Sequence, residues 1–346
     1  MNNSTAELKQ IAIHLVGNKT TDPGLVLSPE MMVLDEELNF QLKTHLLKPF
    51  DKIFAGFHFA HESSLQYNEV YNYAQQVFDK PAVFHEMSQR MAKHLFECSA
   101  HPKIKIGEFY VVYFTDVTMN GQTSDAIGLF KTETKNGFFE VDLTNKHFSI
   151  RYKEGVDLSK VEKGCLILNN RAEEGYEVYL SDGWQKNNDA QYWRDAFLSV
   201  TPIQNAFHQT NQFLTLTKSF VTKQLDQEYE LTKPDQIDLL NRSVAYFKTN
   251  DTFEKDQFEK TVLQDEGLIT SFRSFNTNYT QENELTLPEQ FPISSPAVKR
   301  QERVFKSVLK LDKNFHIYIH GRRDWIEQGT DPNGRKFYKI YYEQES

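Results

Sequence analysis

"IKIGEFYVVYFTDVTMNGQTSDAIGLFKTET", residues 104–134, decides how the chain is read. Its first half is dominated by β-branched and aromatic residues, which suit a pleated, buried strand. Asn120-Gly121 then supplies the dipeptide that tolerates the two positive φ angles of a type I′ turn, and "SDAIGLFKTET" follows as a second strand. A β-hairpin is therefore predicted. Working outward, Asn136-Gly137 is a second hairpin signal, leading into "FFEVDL", and "HFSIRYK", "KGCLILNN" and "GYEVYLS" extend the strand pattern. Turn residues recur at about 8 to 12 positions, so residues 104–182 read as one antiparallel meander. Upstream, "LKQIAIHLV" is a further strand, and helical spacing recurs in Leu34, Leu38, Leu42 and Leu46, in Val70, Ala74 and Val77, and in Phe84, Met87, Met91 and Leu95. Pro81 suits the first turn of the third of these helices, and the three are available to cover a sheet face.

Downstream the period is helical again. Trp193, Phe197 and Val200 share a face, and "TPIQNAFHQTNQFLTLTKSFVTKQL" predicts a long helix with Thr201 as N-cap, Pro202 at N1 and Gln204 closing a capping box. Phe207, Phe213, Leu214, Phe220 and Val221 give that helix an apolar stripe too broad for a solvated surface. Helices over 235–247 and 254–265 follow, with Gly267 expected just past the second. "NTNYTQENELTLPEQFPISSP", residues 276–296, is polar and proline-bearing and reads as a linker. The C-terminal piece reads as a hairpin, "FKSVLKL" and "FHIYIHG" about Asp312–Asn314, with a third strand "KFYKIYY" after the turn Asp331–Gly334. The expected fold is α+β: an antiparallel meander sheet covered by helices (1–185), a helical segment (186–285) and a small basic C-terminal antiparallel strand element (286–346).

At 346 residues, with 39% hydrophobic and 13% aromatic residues, the chain has the apolar area for more than one core. Cys98 and Cys165 are too few for a disulfide framework or a zinc site and suit a reducing compartment. The start, "MNNSTAELKQIAIHL", has neither a basic leader nor a continuous apolar run, and no later segment approaches the length of a membrane span. A cytoplasmic location with no membrane contact is expected. The formal charge of −9 conceals a segregation: residues 296–340 hold eleven Lys and Arg against five Asp and Glu, a local +6 that leaves −15 for the remainder.

Motifs for chemistry are mostly missing. Gly17-Asn18-Lys19-Thr20 lacks the adjacent Gly-Lys and the earlier glycine of a phosphate loop. His85-Glu86 opens like a metalloprotease helix, but Gln89 stands where the second histidine belongs. His58 and His61, beside Glu62, are a pair that would reach a metal from a helix, yet no third ligand is identifiable. Catalytic residues, cofactor and metal are all expected to be absent, and the protein to be no enzyme.

Two readings of the basic end stay open. Lys306, Lys310, Lys313 and Lys339 suit strands that must stay soluble. Lys299-Arg300 and Arg322-Arg323, doubled at positions flanking strands and close to Trp325, suit phosphate contacts and stacking, and equally suit salt bridges to an acidic body.

"LKQIAIHLVGN", "FLSVTPIQNAFHQTNQFLTLTKSFV", and "SVLKLDKNFHIYIHG" with "KFYKIYY" occur in an order and at relative positions that resemble the bacterial nucleoid-associated protein family of the NdpA type, over nearly the whole chain. The resemblance implies a cytoplasmic protein found with the nucleoid, which binds DNA with little sequence preference or works with a DNA-handling enzyme such as a topoisomerase. On the first alternative the DNA-binding candidates are Lys299, Arg300, Arg303, Lys306, Lys310, Arg322, Arg323, Trp325, Arg335 and Lys336. On the second, a non-enzymatic adaptor binds its partner through the acidic body. Whether the chain forms an oligomer is left open.

Overall fold

The hairpin at Asn120-Gly121 forms as expected. β4 (Gly107–Met119) and β5 (Gln122–Thr132) pair antiparallel, and Asn120 and Gly121 have φ of 49° and 83°. The computed structural model describes residues 5–144, 146–158, 161–181, 192–229, 231–303, 305 and 308–344. They fall into two compact units, Met1–Ile203 and Gln204–Ser346. The expected boundary at 185 lies within 182–191, outside the described residues.

In the first unit the hairpin lies inside an eight-stranded antiparallel sheet with β1 (Glu7–Asn18), β2 (Asp22–Val26), β3 (Gly56–Phe59), β8 (Lys163–Leu168), β9 (Glu177–Leu180) and β10 (Val200–Pro202). The strand order is β10-β3-β9-β8-β5-β4-β1-β2. Alternation along β4 sends Phe109, Val111 and Tyr113 to one face, where they meet Val77 of α2 (Glu69–Asp79) and Met87, Met91 and Leu95 of α3 (Phe84–Cys98). Tyr110, Val112 and Phe114 go to the other and meet Leu42 and Leu46 of α1 (Glu36–Leu47) and Phe50. Both faces are thus covered, which is why β4 is apolar at every step from Phe109 to Phe114 and not at alternate ones. Asp35 and Asn68 cap α1 and α2 through their side chains, and Pro81 opens a short 3₁₀ turn that leads into α3. Trp193 and Phe197, on a π-helical stretch Tyr192–Leu198, close over Phe109 edge-on, at centroid distances of 6.3 and 6.0 Å.

Where β5 leaves the sheet it carries a buried ionic cluster. Lys131, with no exposed surface, donates to the Glu133 carboxylate at 2.8 Å and to the Lys105 carbonyl at 2.7 Å. Lys163 donates to the same carboxylate at 3.1 Å and lies over the Tyr192 ring. Burial works to raise the Glu133 carboxyl, but the two ammonium groups outweigh it and hold the group below its ordinary range. Burial draws the Lys131 ammonium down further than Glu133 draws it up.

Two features depart from the expected meander. β6 (Lys135–Thr144) and β7 (His147–Val156) pair only with each other, apart from the eight-stranded sheet. Asn136-Gly137 does not turn the chain; it lies inside β6, where the missing side chain of Gly137 makes room for the Tyr152 ring from the opposite strand. Thr201 and Pro202 likewise do not start a helix. Val200–Pro202 pairs with β3 at the edge of the sheet, a place where proline is tolerated, and the helix begins only after Asn205, whose side chain accepts the His208 N–H.

That helix opens the second unit: α4 (Ala206–Ser219) runs through a π turn, Phe220–Gln224, into α5 (Leu225–Glu228). Around it pack α6 (Lys233–Thr249), α7 (Lys255–Phe258), α8 (Glu266–Glu282) and α9 (Ser295–Glu302), with a small ladder of β11 (Thr252–Glu254) and β12 (Gln290–Pro292). Their shared core is aromatic: Phe213, Phe220, Phe247, Phe253, Phe258, Phe272 and Phe291 are all buried in it. Gly267 lies inside α8 behind the Asp265 cap, and it is Gln264, with φ of 66°, that ends the preceding helix. The polar stretch from 276 is helical as far as Glu282, because Phe275 and Tyr279 pack on the core. The C-terminal strands form two separate ladders: β13 (Val308–Leu311) with β14 (Phe315–Tyr318), and β15 (Ile326–Thr330) with β16 (Lys336–Ile340). β15 is a strand that its sequence, with Gly329 and three polar residues, does not announce.

Candidate nucleic-acid interface

The basic residues are set out by elements whose inner faces are fixed. α9 turns Ala297 and Val298 to the core, and the Gln301 amide donates to Asn211 Oδ1 at 2.6 Å and Thr215 Oγ1 at 3.1 Å on α4. Lys299 and Arg300, and Arg303 at the helix end, are left exposed. The cations sit in the last turn, where the helix dipole favours them. In the β13–β14 hairpin, Leu309 pairs with Ile317 and packs, with Ile319 and Ile326, on Ile237 of α6. Strand alternation then puts Lys310 and its cross-strand partner His316 outside, beside Tyr318, which is 67% exposed.

The two adjacent arginines have different surroundings. Arg322, with φ of 52°, lays its guanidinium over the Trp325 ring at 3.8 Å and is 63% exposed, and its acidic neighbour Asp324, at 3.6 Å, is exposed too. Arg323 points inward. Its Nε donates to Asp235 at 2.6 Å, and its terminal nitrogens reach the Ile326 carbonyl and Thr232 Oγ1. Thr232 and Asp235 form the capping box of α6, so Arg323 ties the C-terminal ladders to that helix. Burial pushes the Asp235 carboxyl up, and the hydrogen bonds from Arg323 and Thr232 more than reverse it. Arg323→Ala should accordingly cost about 2 kcal/mol, the worth of a charge-assisted pair at this depth. Arg322→Ala should stay within about 0.5 kcal/mol of the parent. Urea titrations followed by circular dichroism distinguish the two, and equal effects would mean that the inward pairing is wrong.

Arg335 is held by its own turn, through Asp331 at 2.9 Å, while Lys336 is exposed. Lys306 lies outside the described residues. Between α6, the end of α9 and the β13–β14 hairpin there is a cleft of about 420 Å³, lined among others by Asn241, Lys248, Phe305, Tyr318 and His320. His316, Tyr318 and His320 were not singled out from the sequence. The signal was present: if Ile317 and Ile319 face inward, these three face outward.

Other candidate chemistry resolves into structure. Asn18 is buried, its amide donating to the His101 and Ile104 carbonyls and its oxygen accepting from Thr20 and Thr21. His58 lies on β3, not on a helix, and its Nδ1 meets the Glu174 carbonyl at 3.0 Å; His61 Nδ1 accepts the Ser63 N–H. Among the described residues no group of three or more His, Cys, Asp or Glu is placed to hold a metal ion. His14 and Ser88 are a buried pair at 3.1 Å, but His14 Nδ1 accepts the Ser28 N–H, so Nε2 carries the proton and cannot act as base toward the hydroxyl. Burial pushes the Cys98 thiol up to about 11, so it is protonated and a poor nucleophile at neutral pH.

The model of the nucleoid-associated protein YejK family matches residues 12–336. The chain belongs to that family. Membership gives it a bacterial, cytoplasmic nucleoid location, and among the described residues no helix is long and apolar enough to cross a membrane. Curated proteins gave no match. The family match begins within β1 and ends in β16, so it takes in both units, including the basic elements of the second.

Proposed function

We propose that this nucleoid-associated protein is not an enzyme and binds DNA with little sequence preference, using the basic surface of its second unit. The observation that carries the proposal is that Lys299, Arg303, Lys310 and Arg322 are all exposed, with Lys310 on the strand face that carries Tyr318 and Arg322 stacked on Trp325. Phosphate contacts from such cations release counterions and ignore base identity, while the two aromatics offer stacking surface. Arg300 and Lys336 extend the same role, and Trp325 serves it by holding the Arg322 guanidinium. Arg323 belongs to it only as a support, since its guanidinium is engaged within the fold, whereas Arg335, paired with Asp331 of its own turn, stays exposed. The acidic remainder of the chain, at −15, would repel the duplex and confine contact to this region.

The test is a DNA-binding titration across salt concentration. Neutralisation of about five phosphates gives log affinity falling with log salt at a slope of roughly −4 to −5, nearly independent of base sequence. Arg322→Ala should flatten that slope by about 1, and Lys299→Ala with Arg303→Ala by about 2, with the fold intact. A parent protein that does not bind at low salt would overturn the proposal. The adaptor role, in which the acidic body holds a basic DNA-handling protein such as a topoisomerase, would then account for nucleoid association.

A further inference from the structure

The β6–β7 hairpin is amphipathic in a way that a lone ribbon has no use for. Cross-strand pairing places Phe139 opposite Tyr152, Val141 opposite Ile150 and Leu143 opposite Phe148, all on one face. None of the six is covered: each is between 59% and 78% exposed. The reverse face carries Glu140, Asp142, Arg151 and Lys153, and they are spent on one another, Arg151 on Glu140 and Asp142, and Lys153 on Glu140 at 2.8 Å. The ribbon is well made. Gly137 is open for the Tyr152 ring, which meets Phe139 edge-on at 5.8 Å. Yet a two-stranded ribbon with one bare apolar face is marginal in water unless something packs against that face.

We infer that this face is the contact between two copies of the chain. Six side chains of this size, about two-thirds exposed, present on the order of 600–700 Å² per copy, more than the largest apolar patch usual on a monomer. Two copies packed face to face would bury roughly 1,200–1,400 Å², within the range of stable, specific interfaces. A second copy is the occupant the chemistry favours. The six-residue patch itself carries no charge; Glu154 and Lys135 share its face but lie beyond it, opposite Gly137 and Val156, and Lys135 is paired with Glu108 at 2.9 Å, so the apolar centre selects no basic, acidic or phosphate-bearing partner. Its pattern is also self-similar under a two-fold rotation about the centre of the Val141–Ile150 pair, which exchanges Phe139 with Phe148 and Leu143 with Tyr152. In an isologous contact each pairing i–j recurs as j–i, so a single apolar patch of this kind can serve both sides. The inference is independent of DNA binding, because the hairpin belongs to the first unit and the basic elements to the second.

Light scattering on the full chain across a concentration series tests it. The parent should have twice the mass of the 40.5 kDa chain. Val141→Asp with Ile150→Asp should weaken self-association by roughly 100-fold or more, as loss of a central apolar contact does, with an unchanged circular dichroism spectrum. A second variant guards against misfolding. In a Cys98→Ser background, Ile150→Cys should form an interchain disulfide on mild oxidation, whereas Ser149→Cys, on the charged face, should not. A parent that stays a single chain at every concentration overturns the inference. So does a dimer that survives both aspartates or that Ile150→Cys fails to cross-link.

Discussion

Phe213→Ala should destabilise the second unit by about 3–5 kcal/mol, the usual cost of emptying a packed aromatic site. Phe213 is 2% exposed and lies at the centre of the aromatic core, with ring centroids at 4.1 Å from Phe253, 5.0 Å from Phe258, 5.8 Å from Phe247 and 6.0 Å from Phe272. These neighbours are held by four different elements, so they cannot all collapse into the space a missing ring leaves. Phe213→Leu, which keeps much of the volume, should cost about half as much or less. Denaturant titration of both variants gives the comparison. A loss below about 1 kcal/mol for the alanine variant would show that the ring is not at the centre of a core.

Glu133→Ala should cost the first unit a similar amount, about 3–5 kcal/mol, for a different reason. Removing the carboxylate leaves Lys131, fully buried, with its charge answered by the Lys105 carbonyl and the weaker pull of the Glu162 carboxylate, and leaves Lys163 beside it. The pH dependence identifies the cause. The Glu133 pKa is depressed in the folded state, so its contribution is fully present above its unfolded pKa, about 4.3, and is lost as pH falls through the lower folded value. The parent should therefore lose stability on acidification below about pH 4.3, and Glu133→Ala should lose less over the same interval. If the two acid limbs are parallel, the ion cluster is not what Glu133 contributes.

Most of the architecture was legible wherever a period was clean. The alternating residues of 107–132 specify the central hairpin, the 3.6-residue spacing of Met87, Met91 and Leu95 specifies α3, and Phe213 with Phe220 specifies a buried helix. The failures share a physical origin: a correct local preference was overridden by packing between distant segments. Asn136-Gly137 is a good turn dipeptide, but the Tyr152 ring takes the space above Gly137. Thr201, Pro202 and Gln204 make a good helix start, but β3 had an open edge for Val200–Pro202. Of the candidate interface, the cationic residues were visible and their division was not. Nothing in "GRRDW" distinguishes the arginine that stacks outward on Trp325 from the one that turns inward to Asp235, because that choice depends on a helix far away in sequence.

The strand order of the first unit has a consequence for how the chain comes off the ribosome. β1 is made first but lies between β2 and β4, so Glu7 waits for Thr115 before its ladder is complete. β3 lies between β9 and β10, so Gly56 waits for Tyr179 and Phe59 for Val200. Ile11, Ala12, Val16, Phe57 and Phe59 are all core residues, and each is synthesised long before the strands that bury it. Pairings this distant are slow to close, and unpaired apolar strands are what chaperones bind and aggregates recruit. A nascent chain that stalls before β9 would present β3 with both edges open, whereas one released after Pro202 holds every strand of the sheet. The last strand to join the sheet is thus also the last segment translated before the second unit begins.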